Sequence, residues 1–458
     1  MVPDRLRPVI DATAELAERF AAKGHRLYLV GGVVRDALLD RLSATNDLDL
    51  TTDATPDQTK AVVGGWADAV WDQGARFGTI GFKRGTTHFE VTTHRADAYS
   101  PDSRKPDVRF ASEVDADLWR RDFTVNAMAL SLPDLQLSDP TGGASDLASK
   151  TLRTPLSPEE SFGDDPLRML RAARFIAGYD LAPDPALVQA VHEMAERLKI
   201  VSAERIRDEL NKLIALPTTS AGFWFLVQTG LADHFLPELP ALALEQDPIY
   251  RHKDVLAHTI AVVDKTEPER VLRLAALMHD IGKPRTRAFG SNGVSFHHHD
   301  VVGARMARER LTALRYPVEE IDQVARLVEL HLRFHTFRFG WTDSAVRRYV
   351  RDAGPLLGRL NALTRADCTT RNQRKAEELS ARMDELEERI VELRHKEELD
   401  SIRPDLNGDE VMEHLGIPPS REVGEALDFL LELRLEEGPL GKEEARRRLD
   451  RWWAGRDR

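Results

Sequence analysis

Asp47 and Asp49 stand two apart in the run Asp47-Leu48-Asp49-Leu50-Thr51. The alternation of polar and apolar residues predicts a strand, and on a strand residues i and i+2 leave the same face. Two hard anions on one face suit Mg²⁺, which takes oxygen ligands. Upstream, Gly31-Gly32 lies between an apolar stretch, 27–30, and a helix-like stretch, 33–42. Missing side chains let backbone N–H groups approach phosphate, and a helix start favours an anion. Arg35, on the first turn of that helix, is placed to grip a triphosphate. A second centre has softer ligands. His279-Asp280 is flanked by His258, by His299 and by the distant Asp367, all on predicted helices or helix ends. Imidazoles and carboxylates converging from separate helices can hold a divalent transition metal such as Ni²⁺, Mn²⁺ or Co²⁺. His331 and His335 are spaced for one helix face and either add ligands or pack.

Positioning these groups requires a small sheet. Strands are expected at 27–30, 47–51, 79–82 and 87–93, and a first amphipathic helix over 1–24. Residues 95–117, with Pro101, Pro106 and many charges, read as a mobile loop. Residues 120–127 are Arg-Arg-Asp-Phe-Thr-Val-Asn-Ala; on a helix Asp122 and Asn126 share a face. They suit ribose hydroxyls, and Arg121 suits phosphate.

The order strand, Gly-Gly-Val-Val-Arg-Asp helix, Asp-Leu-Asp-Leu strand resembles the nucleotidyltransferase superfamily shared with polymerase β. The resemblance implies two metal ions that activate a 3′-hydroxyl and steady the leaving pyrophosphate. It also implies a third carboxylate from a neighbouring strand, for which Glu90 in His-Phe-Glu-Val-Thr-Thr is the candidate. Further along come Asp139-Pro-Thr-Gly-Gly-Ala-Ser-Asp-Leu147, Asp164-Asp165-Pro-Leu-Arg168-Met-Leu-Arg171-Ala-Ala-Arg174-Phe175 and Ser202-Ala-Glu-Arg-Ile-Arg-Asp-Glu-Leu210. This ordered set, over about 25–215, resembles the bacterial class II tRNA nucleotidyltransferase and poly(A) polymerase family, most closely its CCA-adding members. The stretch 250–370 resembles the HD phosphohydrolase domain. HD-bearing members are associated with phosphatase or 2′,3′-cyclic phosphodiesterase activity.

Base choice follows from chemistry. With Pro166 in a first helical turn, Asp165 and Arg168 share a face. An ionised Asp only accepts hydrogen bonds and an Arg only donates them. Cytosine and adenine each offer an amino donor beside a ring-nitrogen acceptor; uracil and guanine present the reverse. The pair therefore admits C and A without a template. Arg171, a step further on, is within reach of phosphate. Arg174 lies on the opposite side of the helix and reads as a structural ion pair; the resemblance instead implies a nucleotide-site role for it.

Composition sets the frame. The 458 residues carry 64 basic and 76 acidic side chains, a net charge of −12, and one cysteine, Cys368. An intrachain disulfide and a cysteine-rich zinc module are excluded, and a reducing cytoplasm fits. No apolar run is long enough to span a membrane, and the acid-bearing helical start does not read as a signal peptide. The expected class is α+β: a polymerase β-like head (1–150) with a small mixed sheet and helices, then an all-α neck and body (151–249), an HD domain (250–370) and a helical tail (371–458) with possible tRNA contact. Leu379, Met383, Leu386, Ile390 and Leu393 form a heptad seam, for a helical hairpin or a coiled-coil dimer. The terminal basic and aromatic segment either touches RNA or is a solvated helix. The leading expectation is untemplated addition of CMP and AMP, from CTP and ATP, to the 3′ end of tRNA. The rivals are poly(A) synthesis, CC- or A-addition alone, and an HD phosphohydrolase with a silent RNA-binding head.

Overall fold

The computed structural model describes residues 6–42, 47–95, 98–100, 103–107, 110–244, 254–290, 293–336, 341–368, 373–397, 399 and 402–456. The chain divides into two compact units, Met1–Pro237 and Glu238–Arg458.

The first nine strands, all in the first unit, are β1 (Leu27–Val30), β2 (Asp47–Thr52), β3 (Ala69–Trp71), β4 (Thr79–Arg84), β5 (Thr87–Thr93), β6 (Ala98–Ser100), β7 (Ser103–Asp107), β8 (Ala129–Leu132) and β9 (Leu137–Ser138). Seven form one mixed sheet in the order β3-β4-β5-β2-β1-β8-β9. β2 and β5 run parallel in register, while β1 is antiparallel to both β2 and β8. Leu48, Leu50, Phe89 and Val91 point to the buried face, so alternation sends Asp47, Asp49 and Glu90 together to the open face. Below the sheet Phe82 stacks on Phe89 at 5.1 Å and Trp66 meets Phe82 edge-on at 6.0 Å. Helices α1 (Arg7–Ala21), α2 (Gly32–Leu38) and α3 (Pro56–Val63) flank it. Thr55 and Gln58 close a capping box at the start of α3.

The stretch expected as a loop over 95–117 instead carries the β6–β7 ribbon and the first part of α4 (Val114–Trp119). Pro106 lies within β7, and a two-stranded ribbon has a free edge where a proline is tolerated. The structure of residues 96–97, 101–102 and 108–109 lies outside the described residues. Then follow α5 (Gly143–Ala148), α6 (Pro158–Asp164), α7 (Leu167–Tyr179), α8 (Pro185–Met194), α9 (Ala203–Ile214) and α10 (Ser220–Gln228). α6 and α8 both start on a capped proline, with Ser157 accepting from the Glu160 N–H and Asp184 from the Ala186 N–H.

The second unit is nearly all helical: α11 (Val255–Lys265), α12 (Arg270–Met278), α13 (Lys283–Thr286), α14 (His299–Ala313), α15 (Val318–Leu330), α16 (Arg333–Thr336), α17 (Asp343–Ala353), α18 (Leu357–Asp367), α19 (Gln373–Lys396), α20 (Gly408–Leu415), α21 (Arg421–Glu437) and α22 (Lys442–Ala454). One two-stranded ribbon, Arg287–Gly290 with Gly293–Phe296, interrupts them. The heptad seam is satisfied inside the chain. Met383, Leu386, Ile390 and Leu393 are buried, with α19 packed on α17 and α18. α20 to α22 enclose their own core of Leu406, Val411, Leu430 and Leu449. The terminal segment packs within the tail: Trp452 stacks on Phe429 at 4.9 Å, and Arg446, Arg448 and Arg456 pair with Glu443, Glu437 and Glu425.

Candidate active site and metal centre

The head site is built on the β2–β5 register. Asp49 pairs with Glu90 and Asp47 with His88, whose Nδ1 lies 3.3 Å from the Asp47 carboxylate. Burial raises the Asp49 and Glu90 pKa values, and the neighbouring like charges add to this, Asp47 on Asp49 and both aspartates on Glu90. Arg121 opposes the shift at Asp49. Clustered carboxylates on an open face are the donor set that fits a hard divalent cation.

Gly31 caps α2 with φ +71°, a conformation that L side chains rarely adopt, and a Cβ there would come 3.2 Å from Arg121 Nη1. Arg121 therefore sits between the glycine turn and Asp49. Its Nε and Nη2 donate to Asp117 at 3.3 and 3.0 Å, which fixes its direction. Burial alone pushes Asp117 up, but Arg120 and Arg121 override it and hold its pKa at about 2. The folded pKa is below the unfolded value, so this stabilisation is full above about pH 4 and lost as pH falls towards 2. Asp117→Asn is expected to lower Tm at pH 7, with the gap to the parent narrowing by pH 3. A gap that does not change with pH would contradict the ion-pair account.

Several residues expected at the nucleotide turn inward. Residues 120–127 are not an α-helix; a 3-10 turn, Thr124–Asn126, follows a bend. Asp122 and Asn126 nevertheless meet at 3.0 Å. Asp122 Oδ1 accepts from Asn126 Nδ2 and the Phe123 N–H, and Oδ2 accepts from Arg171 Nε and Nη2 at 2.8 and 2.5 Å. No acceptor direction is left for a ribose hydroxyl, so Asp122 acts by positioning Arg171 and Asn126. Burial opposes charge on Asp122, yet Arg171 and Asn126 hold its pKa well below the carboxylate range. Arg35 likewise is not aimed at phosphate. Its guanidinium is buried on Asn126 Oδ1, Asp36 and the Tyr179 hydroxyl, and stacks 4.1 Å from the Tyr179 ring centre. Arg174 donates to Glu209 at 2.9 Å and lies over Phe175, so its contacts are those of a structural ion pair. A largely buried polar chain thus runs Tyr179, Arg35, Asn126, Asp122, Arg171, Glu209, Arg174, tying α2 and the turn at 122–126 to α7 and α9.

Asp165 ends α6 in an extended conformation, and α7 begins at Leu167. Asp165 accepts from the Leu167 N–H at 3.1 Å and from Arg205 Nη2 at 2.7 Å. Arg168 donates to Ser161 Oγ at 2.9 Å and to the Arg120 carbonyl at 2.6 Å. These contacts fix both side chains while leaving acceptor capacity on Asp165 and donor capacity on Arg168. Arg205, Glu209 and Tyr179 are site-building residues that the sequence reading did not single out. Arg205 and Glu209 stood in the quoted 202–210 segment; nothing local marked Tyr179.

In the second unit, His258, His279, Asp280, His299 and Asp367 come together as expected, and His331 joins them. His258 Nε2 is 2.9 Å from Asp367 Oδ1, and His279 Nε2 is 3.2 Å from Asp280 Oδ2. The Nδ1 atoms of His279, His299 and His331 lie 2.8, 2.7 and 2.6 Å from the carbonyls of Ala276, Phe296 and Val328. A carbonyl only accepts, so each Nδ1 carries hydrogen and each Nε2 faces the cluster. All three Nε2 atoms are buried without a hydrogen-bond partner. Oriented, orphaned imidazole nitrogens around carboxylates fit a metal ion. Burial works against charge on His279, but Asp280 and Asp367 outweigh it and raise its pKa to about 10, so positive charge is drawn to this spot. His335 stays at the margin, 4.0 Å from Asp367.

Comparison with known proteins agrees with this layout. Residues 27–153 match the Poly A polymerase head domain, 180–242 the probable RNA and SrmB-binding site of polymerase A, and 253–393 the HD domain. An A-adding tRNA nucleotidyltransferase of Deinococcus radiodurans is 35% identical over 440 residues, 93% of this chain and 95% of that one. A CCA-adding enzyme of Lactobacillus helveticus is 36% identical over 231 residues, 50% of this chain and 56% of that one. The fold is that of the Bacillus stearothermophilus CCA-adding enzyme solved with CTP, with TM-score 0.71, 23% identity and 99% of each chain covered. Among the described residues no helix is long and apolar enough to cross a membrane. With a full-length relative, three matching domains in family order and both acid clusters in place, the chain belongs to the tRNA nucleotidyltransferase and poly(A) polymerase family, in the form that carries an HD domain.

Proposed function

We propose that the protein adds CMP and AMP, from CTP and ATP, to the 3′ end of tRNA to complete the CCA sequence. The observation that carries the transferase chemistry is the pairing of Asp49 with Glu90, beside Asp47, on one open sheet face next to the Gly31 turn. Asp47, Asp49 and Glu90 hold Mg²⁺, which supplies charge neutralisation at the transferred phosphoryl group. Arg121 faces the triphosphate. The Gly31-Gly32 turn keeps side-chain bulk away from it. Asp165 and Arg168 read the base edge, each held by neighbours so that little is reordered on binding. Asp122, Asn126, Arg35, Arg171 and Arg174 keep this frame in place. The proposed functional division is head 1–150, body 151–249, HD domain 250–370 and tail 371–458, and the HD centre provides a second, phosphohydrolase activity. With a single cysteine and no membrane span among the described helices, the cytoplasm is the proposed compartment.

A second reading, addition of the terminal A alone, is favoured by the match over 440 residues to an A-adding enzyme. CCA addition is preferred because an Asp/Arg reader accepts both C and A. Asp165→Ala and Arg168→Ala are expected to erode preference for C and A over U and G. The loss of one bidentate base contact corresponds to roughly 1–3 kcal/mol, or about 5- to 150-fold in selectivity, by analogy with groove readout. Incorporation of each of the four triphosphates measures it. Variants that lose rate but keep full selectivity would place the reader elsewhere.

A further inference from the structure

We propose that the open face of the head sheet carries a stacking site for the RNA, in which the Trp71 indole takes the base of the nucleotide bearing the 3′-hydroxyl. This rests on the reading of Asp47, Asp49 and Glu90 as the transfer site. The strand register puts the ring and the acids in one line. Asp49 is paired with Glu90, Glu90 with Gly81 and Gly81 with Trp71, across β2, β5, β4 and β3. Directly paired residues leave the same face of a sheet, so Trp71 shares the face of the acids. The apolar core of Phe82, Phe89 and Trp66 lies on the opposite face, and burial does not account for an indole here. Trp71 is 36% exposed, whereas Trp66 is 4% exposed.

β3 is an edge strand, yet its ring reaches towards the acids. Gly81 has no side chain and the indole takes that space: a Cβ on Gly81 would stand 1.9 Å from Trp71 Nε1. The indole thus lies over β4 and meets His88 of β5 with ring centres 6.1 Å apart. His88 Nδ1 is in turn 3.3 Å from the Asp47 carboxylate, so one imidazole separates the indole from the acids. Lys83, paired with His88 and with Ala69, adds a cation on the same face. An aromatic face for a base beside a cation for its phosphate is the combination that holds single-stranded nucleic acid. The side of the acids decides which reactant is held. The Gly31 turn and Arg121, read as the triphosphate side, flank the acids towards β1, and Trp71 flanks them towards β3. Attacking and leaving oxygens lie roughly in line in phosphoryl transfer, so the RNA and the triphosphate approach from opposite sides. The β3 side is therefore that of the RNA end.

The test compares the full chain with its Trp71→Ala and Trp71→Phe variants. The substrates are a tRNA lacking its last three nucleotides and the same tRNA whose final nucleotide keeps its 3′-hydroxyl but has no base. Trp71→Ala should raise the KM for the intact tRNA by about 5- to 150-fold, the effect of losing one base–aromatic stack, with the KM for CTP unchanged. Trp71→Phe should restore most of it. Removing the base should penalise the parent by a similar factor and Trp71→Ala hardly at all, which a merely structural tryptophan would not produce. If Trp71→Ala fails to fold, Gly81→Ala serves instead, since its added Cβ displaces the indole from the face. An equal penalty for the missing base in parent and variant would overturn the stacking site and leave the transfer reading standing. So would a KM unaffected by Trp71→Ala together with loss of a dimer in sedimentation, which would give the β3 edge to a second copy of the chain. Absence of nucleotide addition by the parent on the intact tRNA would overturn both.

Discussion

Asp47→Ala and Asp49→Ala should each reduce nucleotide addition by about a thousand-fold or more. Metal-assisted charge stabilisation of a transferred phosphoryl group supplies several kcal/mol, and each 1.36 kcal/mol is about tenfold in rate. Both side chains are on the solvent side of β2, so their removal opens no cavity, and Leu48 and Leu50 keep the strand buried. Removing either charge also relieves the repulsion at Glu90, so the fold should be slightly stabilised. The discriminating pattern is lost turnover, retained tRNA binding and unchanged or raised Tm. Near-normal turnover in both variants would remove these acids from the active site.

The second large effect lies in the buried frame. Asp122→Ala removes the hydrogen-bond partner of the Arg171 guanidinium, the Asn126 amide and the Phe123 N–H at once, leaving Arg171 only the more distant Glu209 at 3.9 Å. Breaking a buried ion pair from one side costs about 3–5 kcal/mol. In a unit of this size that corresponds to a fall in Tm of roughly 6–20 °C. Asp122→Ala with Arg171→Met removes both charges together and should recover a large part of the loss. A double-mutant cycle on Tm measures the coupling. Coupling near zero would show that the Asp122–Arg171 contact does not hold the head to α7.

Much of this arrangement was legible in the sequence, and what was not has physical causes. The strands Leu27–Val30 and Thr87–Thr93 stood out because half-buried strands alternate or run apolar between turn residues. The β2 acids were legible for the same reason. The edge strand Ala69–Trp71 and the short β8 gave too few residues for any period to show. Long-range partners left no local trace. Arg35 looks like a phosphate ligand from its place at a helix start. It is turned inward by Tyr179, 144 residues away, and by Asn126, 91 residues away. The Arg205 contact that orients Asp165 spans 40 residues. In the HD centre, spacing put His331 and His335 on one face but could not say which enters. His331 is 1% exposed and aims at Asp280, whereas the His335 side chain is 37% exposed.

The central claim, untemplated completion of the tRNA 3′ end by the Asp47, Asp49 and Glu90 site, is tested most directly by product length. A tRNA lacking its last three nucleotides is incubated with CTP and ATP together, and with each alone. The account predicts growth by C-C-A and then arrest with both triphosphates, arrest after two additions with CTP alone, and no extension with ATP alone. A product extended only when the tRNA already ends in C-C, or an open-ended tail of A, would contradict it.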